Sequence, residues 1–101
     1  MPEKTIVDNA LEYLNNLPLC WAIKTHGGEY QTGGLADVFG CLNGLLFALE
    51  GKVPGKKPDP RQEKVLRDIS KAKGYTGSFT SMEEIKTHVA EMQIRIGKWH
   101  E

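Results

Sequence analysis

Three ionisable residues in the middle of the chain have types and a spacing that could support chemistry. Asp37 lies near the start of one apolar run, and Glu50 and Lys52 form a Glu-x-Lys tripeptide at the end of the next. Two carboxylates and an ammonium group in one small site could hold a divalent cation, activate water and neutralise charge on a phosphate. The tripeptide alone is common and usually marks solvated residues at a strand end. The pattern becomes informative only if the fold brings Asp37 beside it.

A predicted β-hairpin brings these residues together. Asn43 and Gly44 separate the two apolar runs and are the pair that a two-residue type I′ turn favours. In that register Asp37 is opposite Glu50, and Lys52 lies on the same face, because alternate residues of a strand share a face. Two opposed carboxylates repel each other and resist burial. A bound cation with a preference for oxygen ligands, Mg²⁺ or Mn²⁺, would offset that cost.

The periodicity of apolar residues, together with turn residues, predicts the elements that must position this hairpin. In chain order they are a helix over about 3–16, a strand over 19–25, a glycine-rich loop over 27–34, the hairpin strands over 35–42 and 45–52, a connector over 54–60, a helix closed by Gly74, a strand over 75–80 and a last helix. The predicted class is therefore α/β, with a small mixed β-sheet flanked by helices in the order α-β-β-β-α-β-α.

Capping residues predict where the last two helices begin. Asp59 is a suitable N-cap, Pro60 suits the first helical position, and Gln62 stands where a capping box has its second side chain. Ser81 and Glu84 have the same spacing before the last helix. The expected buried face of the middle helix consists of Val65, Leu66, Ile69 and Ala72.

The composition predicts one globular domain over residues 1–101. The 101 residues are 40% hydrophobic and 26% charged, which suits a single modest core. No apolar run is long enough to span a bilayer, and the N-terminus lacks the features of a signal peptide, so we expect a cytoplasmic protein. Cys20 and Cys41 are far apart in apolar runs, which is typical of small buried side chains rather than of a zinc site or a disulfide.

The charge distribution is more informative than the net charge, which is zero. Eight of the 13 basic residues lie between Lys52 and Lys73. Four of them recur near helical spacing along the predicted middle helix: Lys57, Arg61, Lys64 and Lys71. Such a stripe could neutralise phosphates. The alternative is an ordinary solvated helix face, because acidic residues are interspersed.

The segment from Gly33 to Gln62 resembles the nuclease core of the VRR-NUC (virus-type replication-repair nuclease) family in the PD-(D/E)XK superfamily. That family shows a Gly-x-Pro-Asp element, a hairpin, a Glu-x-Lys element, a Pro-Gly-Lys-like connector and a Pro-x-x-Gln helix start. The matching positions are Gly34 with Asp37, Glu50 with Lys52, Pro54 to Lys56, and Gln62, and the Tyr30–Gln31 pair and the first helix also fit. The resemblance covers about residues 3–90. Ala36 departs from the family's proline, and Gly51 from its apolar residue, which could loosen Lys52.

The resemblance implies a restriction-endonuclease-like core and metal-dependent hydrolysis of branched DNA, as in a Holliday-junction-type resolvase of phage or bacterial origin. The implied cofactor is Mg²⁺ or Mn²⁺. Cutting both strands of a symmetric four-way junction calls for two sites, so we expect a homodimer. The expected catalytic residues are Asp37, Glu50, Lys52 and Gln62; the metal ligands are Asp37, Glu50 and Glu3; the DNA-binding residues are Gln31, Lys56, Lys57, Arg61 and Lys64.

Less specific interpretations exist for the supporting residues and for the function of the protein. Glu3 suits a helix N-terminus without any metal, Gln62 suits a capping box, and Gln31 suits a polar loop. Three other functions fit the same pattern: a flap or nicking nuclease, a nucleic-acid-binding module with weak or no catalysis, and an interaction protein whose acidic pair is incidental.

Overall fold

A computed structural model of the protein describes residues 3–25, 36–52 and 59–99, with side chains from residue 6 onward. Its elements follow the predicted order. They are α1 (Glu3–Asn15), β1 (Cys20–Lys24), β2 (Val38–Leu42), β3 (Leu45–Gly51), α2 (Pro60–Lys71), β4 (Tyr75–Phe79) and α3 (Met82–Trp99). The predicted loop over 27–34 and the predicted connector up to residue 58 lie outside the described residues.

The four strands form one mixed sheet in the order β1-β2-β3-β4. The first three strands are antiparallel neighbours, whereas β3 and β4 run parallel and are joined through α2. Strand pairing gives the sheet two faces, because side chains alternate along each strand. The face that carries Phe47 packs against α1 and α3 and is called the inner face. The face that carries Glu50 is called the outer face.

The core lies between the inner face and the two terminal helices. Val7, Ala10 and Leu14 of α1 are buried there, as the predicted helical spacing requires. The last helix contributes a buried stripe over its whole length, comprising Ile85, Val89, Met92 and Ile96. The strands supply the centre of the core with Val38, Phe47, Leu49 and Phe79.

Helix α2 packs less deeply than its apolar spacing predicts. None of its residues is buried: Val65, Leu66 and Ile69 are half-buried and Ala72 is exposed. The predicted buried face is therefore only partly formed: three of its four residues are half-buried where α2 packs beside β4, and Ala72 lies outside the packed part.

The end of α2 also differs from the prediction. Lys73, with a φ of 74°, occupies the left-handed position that we expected Gly74 to provide. The Gly74 N–H still donates to the Ile69 carbonyl at 2.9 Å. A Cβ at Gly74 would lie 2.6 Å from Cγ2 of Ile69, so glycine is needed here for close approach rather than for conformation.

The two predicted helix starts are present, and the capping hydrogen bonds differ from the prediction at α3. The Asp59 carboxylate accepts from the Arg61 N–H at 2.9 Å, and Pro60 opens α2 as expected. At α3 the Glu84 N–H donates to Ser81 Oγ at 3.3 Å, but the Glu84 carboxylate accepts from the Thr80 N–H instead of completing the box on Ser81. No helix in the described part of the chain is long and apolar enough to cross a membrane.

Candidate active site

The turn at Asn43 and Gly44 sets the geometry of the candidate site. Both residues have positive φ, 47° and 90°, which is what a type I′ turn requires. Pairing then runs from Leu42 opposite Leu45 to Val38 opposite Leu49, so the predicted hairpin register is confirmed. The ladder ends one step before Asp37, which lies in the bend that leads into β2.

A backbone hydrogen bond holds Asp37 across the end of β3. The Gly51 N–H donates to Asp37 Oδ2 at 2.7 Å, and the Thr25 N–H donates to the Asp37 carbonyl at 2.9 Å. The carboxylate is thus held beside Glu50 even though Asp37 is outside the strand. Any residue except proline would supply the Gly51 N–H, so the departure from the family pattern at this position does not disturb the contact.

Glu50 is a buried charged side chain at the outer face, with 8% of its surface exposed. Burial raises the pKa of Glu50 above its usual range; the Lys52 charge opposes this, and the Asp37 charge reinforces it. Desolvation and a neighbouring carboxylate both disfavour the ionised form. The site therefore bears the electrostatic cost that the sequence pattern predicts.

Lys52 completes the arrangement at the end of β3. Its Nζ lies 3.7 Å from Glu50 Oε2, and its backbone N–H donates to the Phe79 carbonyl at 2.9 Å. The main chain is fixed by β4 while the side chain remains 43% exposed. The ammonium group can therefore move between Glu50 and a bound anion without disturbing the sheet.

Glu63, in the first turn of α2, is a contributor that the sequence pattern did not single out. Its charge adds a smaller increase to the pKa of Glu50, so the start of α2 lies near that carboxyl group. The signal was weak, because an acidic residue in the first turn of a helix is already explained by the helix dipole. Gln62, next to it, is half-buried.

The predicted DNA-binding residues on α2 are exposed and partly engaged with acidic neighbours. Arg61 lies 3.5 Å from Asp59, and Lys64 lies 2.8 Å from Asp68. These are surface ion pairs, which are weak and can exchange partners. Gln31, Lys56 and Lys57, together with the side chain of Glu3, lie outside the described residues.

The donor set fits a hard divalent cation, although it is small. The carboxylates of Asp37 and Glu50 supply the oxygen ligands that Mg²⁺ and Mn²⁺ prefer. Among the side chains that the structure describes, no group of three or more His, Cys, Asp and Glu residues is placed to hold a metal ion. The two free cysteines, Cys20 and Cys41, are half-buried on opposite faces of the sheet, away from this site.

One solved structure is similar to this chain along most of its length. It is described as a VRR_NUC domain, and it is 19% identical over 87% of this chain and 90% of its own, with a TM-score of 0.60. The chain has a VRR-NUC-like fold. No family model matches the sequence, and no curated protein does. The fold expected from the sequence resemblance is thus observed, and at this identity the likeness concerns the fold alone.

Proposed function

We propose that this protein is a divalent-metal-dependent endonuclease that hydrolyses phosphodiester bonds in branched DNA, with four-way junctions as its preferred substrate. The observation that carries the proposal is the meeting of Asp37, Glu50 and Lys52 at the ends of the hairpin strands. The nuclease fold of the VRR_NUC domain supports a nucleic-acid partner. The preference for branched DNA rests on the sequence resemblance.

Each residue of the site has a distinct part in the proposed reaction. Asp37, held by the Gly51 N–H, and Glu50, buried at the outer face, would hold Mg²⁺ or Mn²⁺. The bound ion would supply an activated water and offset the charge that builds on the phosphate. Lys52 would orient the water or neutralise charge on the reacting phosphate, because its ammonium group is exposed beside the carboxylates.

The proposal is tested by a cleavage assay with labelled four-way junction, flap, linear duplex and single-stranded DNA, in Mg²⁺, Mn²⁺ or EDTA. Asp37→Asn and Lys52→Ala should each lower the junction cleavage rate by about a hundredfold or more. Glu12→Gln, which removes an exposed carboxylate on α1, is the matched control and should cleave like the wild type. Cleavage in EDTA, or undiminished cleavage by Asp37→Asn, would refute the mechanism. Faster cleavage of flap DNA than of four-way junctions would show that flap DNA is the preferred substrate.

A second candidate is a nucleic-acid-binding module with weak or no catalysis. It is favoured by the small donor set, since no three carboxylates among the described side chains are placed to hold one ion. It predicts that the chain binds branched DNA without forming a metal-dependent product. Calorimetric titration with Mn²⁺ separates the two, because the nuclease requires a heat of binding that Asp37→Asn abolishes.

A further inference from the structure

Thr25, the residue after β1, forms two hydrogen bonds to the segment that carries Asp37. Its backbone N–H donates to the Asp37 carbonyl at 2.9 Å, and its hydroxyl donates to the Ala36 carbonyl. The last pair of the β1–β2 ladder is Lys24 opposite Val38, so Thr25 lies one step further along, opposite Asp37. The two contacts therefore extend the grip of β1 beyond the end of the ladder.

The two accepting carbonyls belong to the peptide units on either side of the Asp37 Cα. A peptide unit is planar, so a hydrogen bond to its carbonyl restricts the orientation of the whole unit. Restricting both units limits φ and ψ of Asp37, and with them the direction in which its side chain leaves the backbone. Thr25 therefore acts on the Asp37 carboxylate through the main chain.

Asp37 needs this support because it lies in a bend and not in a strand. The pairing of β2 with β3 includes Val38, opposite Leu49, but does not extend to Asp37. The carboxylate itself is held from the other side, where the Gly51 N–H donates to Asp37 Oδ2 at 2.7 Å. Thr25 thus restrains the backbone of Asp37 while Gly51 restrains the carboxylate.

The hydroxyl is the part of this arrangement that depends on the residue type at position 25. Any residue except proline would supply the N–H, whereas only serine and threonine carry an aliphatic hydroxyl on the β-carbon. Ala36 is 1% exposed, so its carbonyl is shielded from water, and a buried carbonyl that loses its donor is costly. Without the hydroxyl, the segment before β2 should shift to recover a partner for that carbonyl.

We propose that the Thr25 hydroxyl orients the Asp37 carboxylate and that Thr25 is a positioning residue of the candidate active site. The value of that orientation for metal binding rests on the proposed function, whereas the effect of Thr25 on Asp37 does not. Loss of a group that orients a metal ligand usually lowers metal affinity or activity by about ten- to a hundredfold. Because Thr25 acts on a metal ligand, its loss should affect metal binding and kcat more than DNA affinity.

The first measurement is amide hydrogen exchange of the metal-free full chain, followed by NMR. Thr25→Val keeps the branched shape and the backbone N–H but removes the hydroxyl. It should speed exchange of the Gly51 amide, which donates to Asp37, by about fivefold or more. The next amide, that of Lys52, donates to the Phe79 carbonyl and should keep its rate. Thr25→Ser retains the hydroxyl and should restore slow exchange at Gly51.

Two further variants calibrate this measurement. Thr87→Val is the matched control, because it removes an exposed threonine hydroxyl that donates to the Glu83 carbonyl at 3.1 Å on α3. It should leave the Gly51 rate unchanged. Asp37→Ala removes the acceptor of the Gly51 N–H and gives the fastest Gly51 exchange to be expected. Melting curves verify that each variant is folded.

The second measurement concerns the metal and the reaction. Thr25→Val should raise the Mn²⁺ dissociation constant and lower kcat by about tenfold or more, with little change in the KM for four-way junction DNA. Thr25→Ser and Thr87→Val should both stay close to the wild type.

Three results would overturn the role of Thr25. These are an unchanged Gly51 rate in Thr25→Val, an equal acceleration of the Gly51 and Lys52 amides, which would show general fraying of the sheet end, and a Thr25→Ser variant as impaired as Thr25→Val. A wild-type chain that neither binds Mn²⁺ nor cleaves DNA would refute the proposed function instead. The Gly51 and Lys52 exchange rates would still decide whether the Thr25 hydroxyl orients Asp37.

Discussion

The two faces of the sheet differ in what covers them. On the inner face, α1 and α3 enclose side chains such as Phe47 and Leu49, which are fully buried. On the outer face, α2 contacts β4, Ala48 and Glu50 of β3 are buried, and Trp21 and Ile23 remain exposed. Packing alone explains the inner face. The outer face contains groups that cost stability in an isolated chain, which is typical of surfaces that bind something.

The largest difference between the faces should appear when an aromatic ring is removed from each. Phe47→Ala leaves a cavity between the sheet and two helices and should lower the free energy of unfolding by about 3–5 kcal/mol. Trp21→Ala removes a ring that is already 58% exposed, and should cost less than about 1 kcal/mol in the monomer. Urea unfolding at low protein concentration measures both, and similar losses would contradict the distinction.

Two glycine substitutions should have effects of opposite sign. A Cβ at Gly40 would lie 2.3 Å from the Trp21 carbonyl oxygen and 2.6 Å from the Phe47 ring, so Gly40→Ala should destabilise the sheet by about 1–3 kcal/mol. A Cβ at Gly97 on α3 meets nothing within 4 Å, and Gly97→Ala should stabilise the helix by about 0.5–1 kcal/mol. Thermal melts of the two variants check the pair. A neutral Gly40→Ala would mean that β1 can move away from β2.

A polar network at the edge of the inner face should contribute less to the free energy of unfolding than the aromatic ring of Phe47 in the core. The Tyr75 hydroxyl lies 2.6 Å from His88 Nδ1 and donates to Glu91 Oε2 at 2.7 Å, and burial together with Glu91 raises the pKa of Tyr75. Tyr75→Phe should therefore cost about 1–2 kcal/mol of unfolding free energy. Tyr13→Phe is the control, because the Tyr13 ring under Lys86 persists without its hydroxyl. Equal losses in the two variants would show that the network adds nothing.

A small stability effect should come from the outer-face charge, and it should depend on pH. Because burial raises the folded-state pKa of Glu50, the folded chain still holds a proton, in the pH range between 4.5 and the raised pKa, that the unfolded chain has lost. Its contribution is fully present below the ordinary pKa of 4.5 and is lost as pH rises through the raised value. Glu50→Gln cannot ionise, so it does not lose this stability as pH rises. At neutral pH without metal the variant should therefore be more stable than the wild type by about 1 kcal/mol. Melting curves of both proteins in EDTA between pH 4 and pH 8 measure this difference. A Glu50→Gln variant that is less stable than the wild type at every pH would contradict a raised pKa for Glu50.

With a divalent metal present, the wild type should become more stable than Glu50→Gln, the reverse of the order expected in EDTA. Under the proposed function, Mg²⁺ or Mn²⁺ held by Asp37 and Glu50 would stabilise the folded wild type by mass action. Glu50→Gln should gain little from the same ion. Melting with and without Mn²⁺ measures the difference, and Asp68→Asn, which alters an exposed carboxylate on α2, should respond like the wild type.

Local rules made much of the fold predictable. The Asn43–Gly44 pair defines the hairpin register because both turn residues need positive φ, and that requirement acts over two residues. The cap at Asp59 and the apolar spacing of α1 and α3 act over one or a few helical turns. The element order and the placement of Asp37 near Glu50 followed from these short-range constraints.

Contacts between distant parts of the chain decided the rest. The hydrogen bond that fixes Asp37 comes from Gly51, which is 14 residues away, and the charge of Glu63 acts on Glu50 because α2 packs beside β4. Trp21 and Ile23 look like core residues in the sequence, and they stay exposed because α2 covers a different part of the sheet. The apolar character of a side chain indicates that it favours burial. Only the arrangement of the helices and strands in space determines which face of the sheet is covered.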